Sequence, residues 1–473
     1  MPNTGKLQTE EDGRSKPKRS VSRTWILAWL AFLPLVMIRA ENFAESDTFW
    51  QIRAGMLTLE QGSIPIRDTF SWTAAGEPWT LNSWGFNVVL GAAYHRGGLM
   101  GSAIAASVLV AILGALLLLQ ARQLGATPVV SGWVLFIGGA IMTTWISARP
   151  QVVDYIAMMA LVLLLNRLGA AVRPAWVIAG LGLLTIAWVN LHAAASLGAV
   201  SCGAAAVAML ISRSDRRLTF RFVGATLVVV GCLLINPYGF GILSQAVQVK
   251  DQSTNIREWQ PFDSSDPLQL VVMAAGLAAF IIVARRRDPV LAAVMAVMLC
   301  GSITAYRILP ILFMVSLPIL SAAAPPSVLR YFESRRRMLA QGAFAGVLVA
   351  VIAAFINIPN LGRPDPAHFP SAAIQEIPVG CKLFNDYQLG GLVILQRPDV
   401  AVSIDSRNDL YGARRVDRSL NAIEGRGDYE GELQGAGCAL IPPDTELAGL
   451  LRESPFWART FSEPTAELFV RVP

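Results

Sequence analysis

The sequence predicts an all-α polytopic membrane bundle of about eleven transmembrane helices, followed by a small C-terminal α/β domain. Three observations predict it. Of the 473 residues, 54% are hydrophobic and only 15% charged, where an ordinary soluble domain carries about a quarter charged. The apolar residues fall in runs close to the roughly 20 residues that cross a bilayer. The arginines gather in alternate loops, the inside-positive pattern of a multi-pass protein. The net charge of +6 therefore reads as membrane topology, and no nucleic-acid motif accompanies it.

The opening stretch, 1–23, is polar and carries Lys16, Lys18, Arg19 and Arg23, which marks a disordered cytoplasmic arm. The first span, 24–40, has no small-residue cleavage site and is expected to stay as an anchor. It begins a membrane domain, 24–358, with a long outside loop at 41–97. Within that loop Phe49, Ile52, Met56 and Leu59 recur at helical spacing, as in a helix lying in the membrane interface. The apolar piece 84–94 is too short to cross. Further spans are expected near 98–120, 128–146, 151–169, 174–190, 194–212, 220–236, 267–284, 289–305, 308–324 and 340–357.

Orientation follows from the basic loops: Arg122, then Arg167 and Arg173, then Arg213, Arg216 and Arg217, then Arg285 to Arg287, then Arg335 to Arg337. Placing these in the cytoplasm puts the N-terminus there too, and an odd number of spans sends the C-terminal domain, 359–473, to the outside. That domain shows β-like runs at 391–395, 400–404, 439–441 and 467–472. Cys202, Cys232 and Cys300 lie in apolar runs, whereas Cys381 and Cys438 lie in the C-terminal domain. An oxidising compartment would allow the last two to pair.

Polar residues collect on the outside face: Glu45, Asp47, Asp68, Arg149, His192, Glu258 and Arg307. Each alone is explained by snorkelling to the headgroups. Their convergence on one face instead favours a polar cavity.

The first outside loop is the most informative segment. It holds Asp47-Thr48-Phe49-Trp50-Gln51-Ile52, then Asp68-Thr69-Phe70-Ser71-Trp72-Thr73, then Gly76-Glu77-Pro78-Trp79. Later pieces are Ala148-Arg149-Pro150-Gln151, Trp188 to His192, Asn236-Pro237-Tyr238-Gly239 and Glu258-Trp259. Phe384 to Tyr387, Gly390-Gly391 and Ile404 to Gly412 follow in the C-terminal domain. An acidic residue just after the first span, then a helix and an aromatic-rich loop, resembles the membrane glycosyltransferases of the GT-C superfamily. The resemblance covers most of the chain as scattered motifs. Two places depart from it: His192-Ala193 stands where relatives often have His-Gly, and Asn82-Ser83-Trp84-Gly85 where they often have His-Glu-Trp-Leu. The second departure removes two acid/base groups.

The resemblance implies a bacterial plasma-membrane enzyme that moves a sugar from a polyprenyl-phosphate donor to a glycan, lipid or protein acceptor at the outer face. Such a reaction needs a carboxylate to take the acceptor's proton, a role typically worth about 10²–10⁴-fold. Cations or hydrogen-bond donors must stabilise the departing phosphate. By its place after the first span Asp47 is the first choice for base, with Asp68 second, as acceptor-positioning residue or metal ligand. Arg149 and Arg307 are expected at phosphate, His192 at phosphate or sugar, and Glu45 and Glu258 at substrate. The resemblance admits a divalent metal, Mg or Mn, on Asp47 and Asp68. Arg67-Asp68-Thr69 equally fits a turn in which the carboxylate accepts from free amides. The cluster Asp386, Tyr387, Asp405, Arg407, Asp409 and Tyr411 equally fits an acceptor site or a packed network joining the two domains. A carrier of lipid-linked sugars and a non-catalytic envelope scaffold are the competing functions.

Overall fold

The computed structural model describes residues 23–40, 42–242, 257–335, 341, 344–348, 351–352, 355–356 and 358–472. The expected cytoplasmic arm up to residue 22 and much of the expected last span lie outside the described residues.

Helices account for most of the chain. They are α1 (Arg23–Ala40), α2 (Ser46–Gln61), α3 (Trp84–Gln123), α4 (Pro128–Met142), α5 (Gln151–Ala170), α6 (Pro174–Leu191), α7 (Ser196–Ile211) and α8 (Arg216–Cys232). After residue 256 come α9 (Pro267–Arg285), α10 (Pro289–Thr304), α11 (Leu309–Ala322) and α12 (Pro326–Ser334). Proline opens α4, α6, α9 and α10, where its missing N–H costs no helical hydrogen bond. Asp266 and Asp288 cap the last two, accepting from Leu268 and Gln269 and from Leu291. Among the described residues five helices are long and apolar enough to cross a membrane: α3, α5, α6, α9 and the segment Ala193–Ile211 that contains α7. Shorter apolar helices are α4, α10 and Tyr306–Ala322, which contains α11. The chain is thus a multi-pass membrane protein built on a helical bundle, with α5 and α11 buried nearly all round at its centre.

The short apolar piece at 84–94 and the span expected from 98 are both helical, and within α3 they are separated where Gly97 and Gly98 leave helical geometry. Gly98 has φ +59° and ψ −152°, a region open essentially to glycine. The helix expected at the interface exists as α2, with protein covering the first half of its apolar side while Met56 is half-buried and Leu59 exposed. Phe49 and Ile52 are wholly buried, each worth about 1.5–3 kcal/mol relative to exposure. Glycine permits this covering: a methyl at Gly55 would overlap the Asn87 carbonyl of α3, and one at Gly91 would overlap the Gly55 backbone.

The C-terminal domain carries a five-stranded sheet. Its strands are β3 (Lys382–Asn385), β4 (Ala401–Val402), β5 (Cys438–Ile441), β6 (Trp457–Glu463) and β7 (Ala466–Arg471), in the order β4-β3-β5-β7-β6. The β3–β4 and β3–β5 pairs are parallel, and β7 runs antiparallel to both neighbours. Helices α13 (Ser371–Gln375), α14 (Gly390–Gln396), α15 (Asn408–Ile423), α16 (Tyr429–Leu433) and α17 (Glu446–Glu453) complete it. The run expected as a strand at 391–395 is the helix α14. A five-residue apolar run shows no period that separates buried strand from buried helix, and here every residue from Gly390 to Leu395 is buried. Cys381 and Cys438 form a disulfide with Cα atoms 6.3 Å apart.

Two seams fix this domain to the bundle. A short parallel pair joins β1 (Asn42–Phe43), just after α1, to β2 (Arg363–Pro364) at the start of the domain. The loop 62–83 then lies along the free edge of β4. There Trp72 donates its amide to Val402 (3.0 Å), and Val402 donates to Phe70 (3.2 Å). The Trp72 indole donates to the Leu383 carbonyl (3.0 Å) and the Thr73 hydroxyl to that of Ser403.

Candidate active site

Four breaks in the helical bundle meet at one cleft. The start of α2 supplies Glu45 and Asp47. The turn between α4 and α5 supplies Arg149 and is tied to α2 by the Thr48 hydroxyl, which donates to the Ala148 carbonyl (3.3 Å). A 3-10 turn, Arg257–Trp259, supplies Glu258, and a second, Tyr306–Ile308, supplies Arg307. Backbone bonds from Tyr306 to Gln260 (2.9 Å) and from Phe262 to Ile303 (3.1 Å) lock these two turns together. The cleft has a volume of about 130 Å³, and its lining includes Glu45, Trp145, Arg149, Tyr155, Glu258 and Arg307.

Arg149 is the hub of the cleft. Its Nη2 lies 2.6 Å from Asp47 Oδ2, and its Nη1 lies 2.8 Å from Glu258 Oε1 and 3.8 Å from Glu45 Oε2. Burial alone would lower the Arg149 pKa, but the carboxylates of Asp47, Glu258 and Glu45 outweigh it and raise the value. Burial alone would likewise raise Glu258, yet the charges of Arg149 and Arg307 hold its carboxyl below the usual range, helped by His192. Asp47 keeps one oxygen away from Arg149: among the described residues Oδ1 accepts the Trp50 indole N–H at 3.2 Å and no other donor, and Trp50 shares that N–H with the Ser406 hydroxyl at 3.1 Å.

Arg307 is differently placed. Its guanidinium lies over the Trp259 ring, 4.3 Å from the centroid, and among the described residues no carboxylate pairs with it. His192 closes α6 in an extended conformation, φ −160° and ψ 139°, which turns its ring inward. Its Nδ1 lies 2.8 Å from both oxygens of Asp154, whose Oδ1 also accepts the Trp188 indole N–H at 2.8 Å. Such a carboxylate fixes the tautomer with hydrogen on Nδ1 and leaves Nε2 as the working nitrogen.

Six of the seven expected residues thus fall in or beside one cleft. Asp68 does not. Its carboxylate is fully buried, accepting from the Phe70 and Ser71 amides (3.1 and 3.0 Å), from the Ser71 hydroxyl, and from Arg407 Nη1 at 2.6 Å. Arg407 forks onto Asp405 (2.7 and 2.6 Å), and its guanidinium lies against the rings of Phe70 and Trp79, 5.1 and 4.6 Å from their centroids. Tyr411 donates to Asp405 at 2.7 Å. Of the two readings left open by the sequence, this geometry is the turn at Asp68 and the packed network at Arg407. Burial raises the Asp386 carboxyl, and it pushes Asp409 up to about 6.

The metal pairing implied by the resemblance does not fit these residues. Asp47 and Asp68 are bound to two different guanidinium groups. Among the described residues no three His, Cys, Asp or Glu side chains are arranged to hold an ion. Asp154 escaped the sequence reading. Its signal was an acid inside an apolar span, which by default marks a functional position.

No protein-family model and no curated protein matches the sequence. Solved structures do match. ArnT from Cupriavidus metallidurans bound to undecaprenyl phosphate is 13% identical with a TM-score of 0.57, over 95% of this chain and 98% of that one. Archaeal oligosaccharyltransferase AglB from Archaeoglobus fulgidus, in complex with an inhibitory peptide and a dolichol-phosphate, is 11% identical with a TM-score of 0.54. That match covers 89% of this chain and 69% of the other. The Archaeoglobus fulgidus oligosaccharyltransferase in complex with Zn and sulfate gives 11%, 0.53, and coverages of 95% and 73%. These are GT-C glycosyltransferases, and the chain has their fold.

Proposed function

We propose that the chain transfers a sugar from a polyprenyl-phosphate donor to an envelope glycan, lipid or protein acceptor at the outer face of a bacterial plasma membrane. On this reading about eleven spans carry the chain across, with the N-terminus cytoplasmic and the C-terminal domain outside. The disulfide in that domain supports an oxidising side. The observation that carries the proposal is the cleft: three carboxylates, of Glu45, Asp47 and Glu258, gather on Arg149, and Arg307, which makes no direct ion pair among the described residues, lines the same cavity at the ends of membrane helices. The similar structures bind lipid phosphates, undecaprenyl phosphate in ArnT and dolichol-phosphate in AglB.

In the proposed reaction the acceptor oxygen attacks the anomeric carbon of the donor sugar. The bond from that carbon to the phosphate oxygen breaks, and its electron pair leaves with the lipid phosphate. Asp47 Oδ1 takes the acceptor proton, while Arg149 on Oδ2 holds the carboxylate in line. Arg307 receives the phosphate charge as it develops, since among the described residues it makes no direct ion pair, whereas Arg149 is held by three carboxylates. His192 Nε2 faces the same charge, steadied from behind by Asp154. Asp68 acts at a distance, holding the outside loop to the C-terminal domain and so placing Ser406 and Trp50 beside Asp47.

Lipid binding is tested by native mass spectrometry of the purified protein with undecaprenyl phosphate. The wild type should retain one lipid phosphate per chain, and Arg307→Gln should weaken it about tenfold or more, the loss of one charge-assisted contact. Equal retention by both proteins would remove Arg307 from the phosphate site.

A further inference from the structure

Three acidic side chains from separate parts of the chain converge on this cleft, from the start of α2 and from the turn Arg257–Trp259. Convergence of that kind costs free energy through mutual repulsion unless a cation lies at its centre. Divalent ions commonly fill such a place, bound to carboxylate oxygens at about 2.0–2.6 Å. Here the central position is taken by protein: the Arg149 guanidinium lies 2.6 Å from Asp47, 2.8 Å from Glu258 and 3.8 Å from Glu45.

We infer that the Arg149 guanidinium fills the place of a divalent cation in this cleft, so that the cleft takes up no Mg2+ or Mn2+ while Arg149 is present. Two features of the donor set support the substitution. The Asp47 oxygen nearest the centre accepts a guanidinium N–H, and its other oxygen accepts an indole N–H, so an ion at the centre would have to displace the guanidinium from Asp47. A guanidinium also cannot deprotonate to make room, because arginine stays charged at every accessible pH. An incoming dication would have to displace a fixed positive charge held by three acids. This chain thereby differs from the similar oligosaccharyltransferase, which was solved in complex with Zn.

The inference concerns the same cleft as the proposed transfer reaction, but its test reads metal binding and needs no activity. Mn2+ binding is measured by electron paramagnetic resonance on the full-length protein in lipid nanodiscs, with and without undecaprenyl phosphate. The variants are Arg149→Ala, Arg149→Lys, Asp47→Asn and the double Arg149→Ala/Asp47→Asn. The wild type and Arg149→Lys should bind no Mn2+ beyond empty nanodiscs. Arg149→Ala vacates the centre and should bind one Mn2+ per chain at least tenfold more tightly than the wild type, and the added Asp47→Asn should abolish it. Stoichiometric binding by the wild type in either lipid condition, lost in Asp47→Asn, would overturn the inference. So would an Arg149→Ala protein that gains no Mn2+, since the guanidinium would then not stand where an ion fits. If Arg149→Ala does not fold, the comparison of wild type with Asp47→Asn still decides the question.

Discussion

Replacing Asp68 with Asn should loosen the seam between the loop 62–83 and the C-terminal domain without removing a reacting group from the cleft. The side chain is fully buried against Arg407, with Nη1 to Oδ1 at 2.6 Å. Asn keeps the shape and one acceptor but removes the charge, and a hydrogen bond to a charged partner is worth about 1.5–3 kcal/mol. Taking ~2 kcal/mol as the loss, local opening of the seam becomes roughly 30-fold more frequent. The reporters are the amides of Trp72 and Val402, which bond across the seam. Hydrogen exchange followed by mass spectrometry should show both speeding up by about that factor, with α5 and α11 unchanged. Arg407→Met is the harsher test. It leaves Asp68 and Asp405 buried without their cation, a change that costs about 3–5 kcal/mol, and should speed exchange by a further factor of ten or more. Unchanged exchange in Asp68→Asn, together with complete loss of sugar transfer, would refute the seam account and return Asp68 to the chemistry.

Three further outcomes follow from other parts of the molecule. Asp154→Asn removes the carboxylate that holds His192 Nδ1–H; transfer should fall about tenfold or more, and nitrogen NMR of His192 should show mixed tautomers, whereas an unchanged single tautomer would count against the dyad. Asp409 has its carboxyl pushed up to about 6 by burial, above the roughly 3.9 of an unfolded aspartate. The folded state therefore holds that proton more tightly, and the residue costs stability as pH rises from about 4 through about 6. Asp409→Asn should accordingly be the more stable protein in thermal unfolding at pH 8 and match the wild type near pH 4, and a difference independent of pH would contradict the assignment. Gly391→Ala would drive a methyl into the Ser46 carbonyl at the start of α2. Overpacking of this kind costs about 1–3 kcal/mol, and because Asp47 is the next residue, transfer should fall more than stability does; full activity would show that α2 has room to shift.

Much of the bundle was legible because its signals are local. Apolar runs mark the spans, and proline and aspartate at positions such as Asp266-Pro267 fix where helices begin. The cleft residues Glu45, Asp47, Arg149, His192, Glu258 and Arg307 were legible for a similar reason, as costly groups at the ends of apolar runs. What stayed hidden depends on distant partners. Asp68 stood out in its motif, yet its role is set by Arg407, 339 residues away, and no local pattern carries that. The placement of α2 was lost similarly, since Gly55 and Gly91 act only once the helices meet. Asp154 carried a local signal as an acid inside an apolar span, but its role is set by His192, 38 residues away, and α14 was hidden by being too short and too uniformly buried to show a period.

The central claim is that Asp47 is the base of a sugar transfer from a lipid phosphate. It is tested most directly by mass spectrometry of prenyl-phosphate sugars and envelope glycans in a deletion strain complemented with wild type or Asp47→Asn at matched expression. The account predicts that a prenyl-phosphate sugar accumulates and a glycan, lipid or protein acceptor loses its sugar, and that only the wild type restores both. Equal restoration by Asp47→Asn would contradict it, and would move the chain towards a carrier or a scaffold.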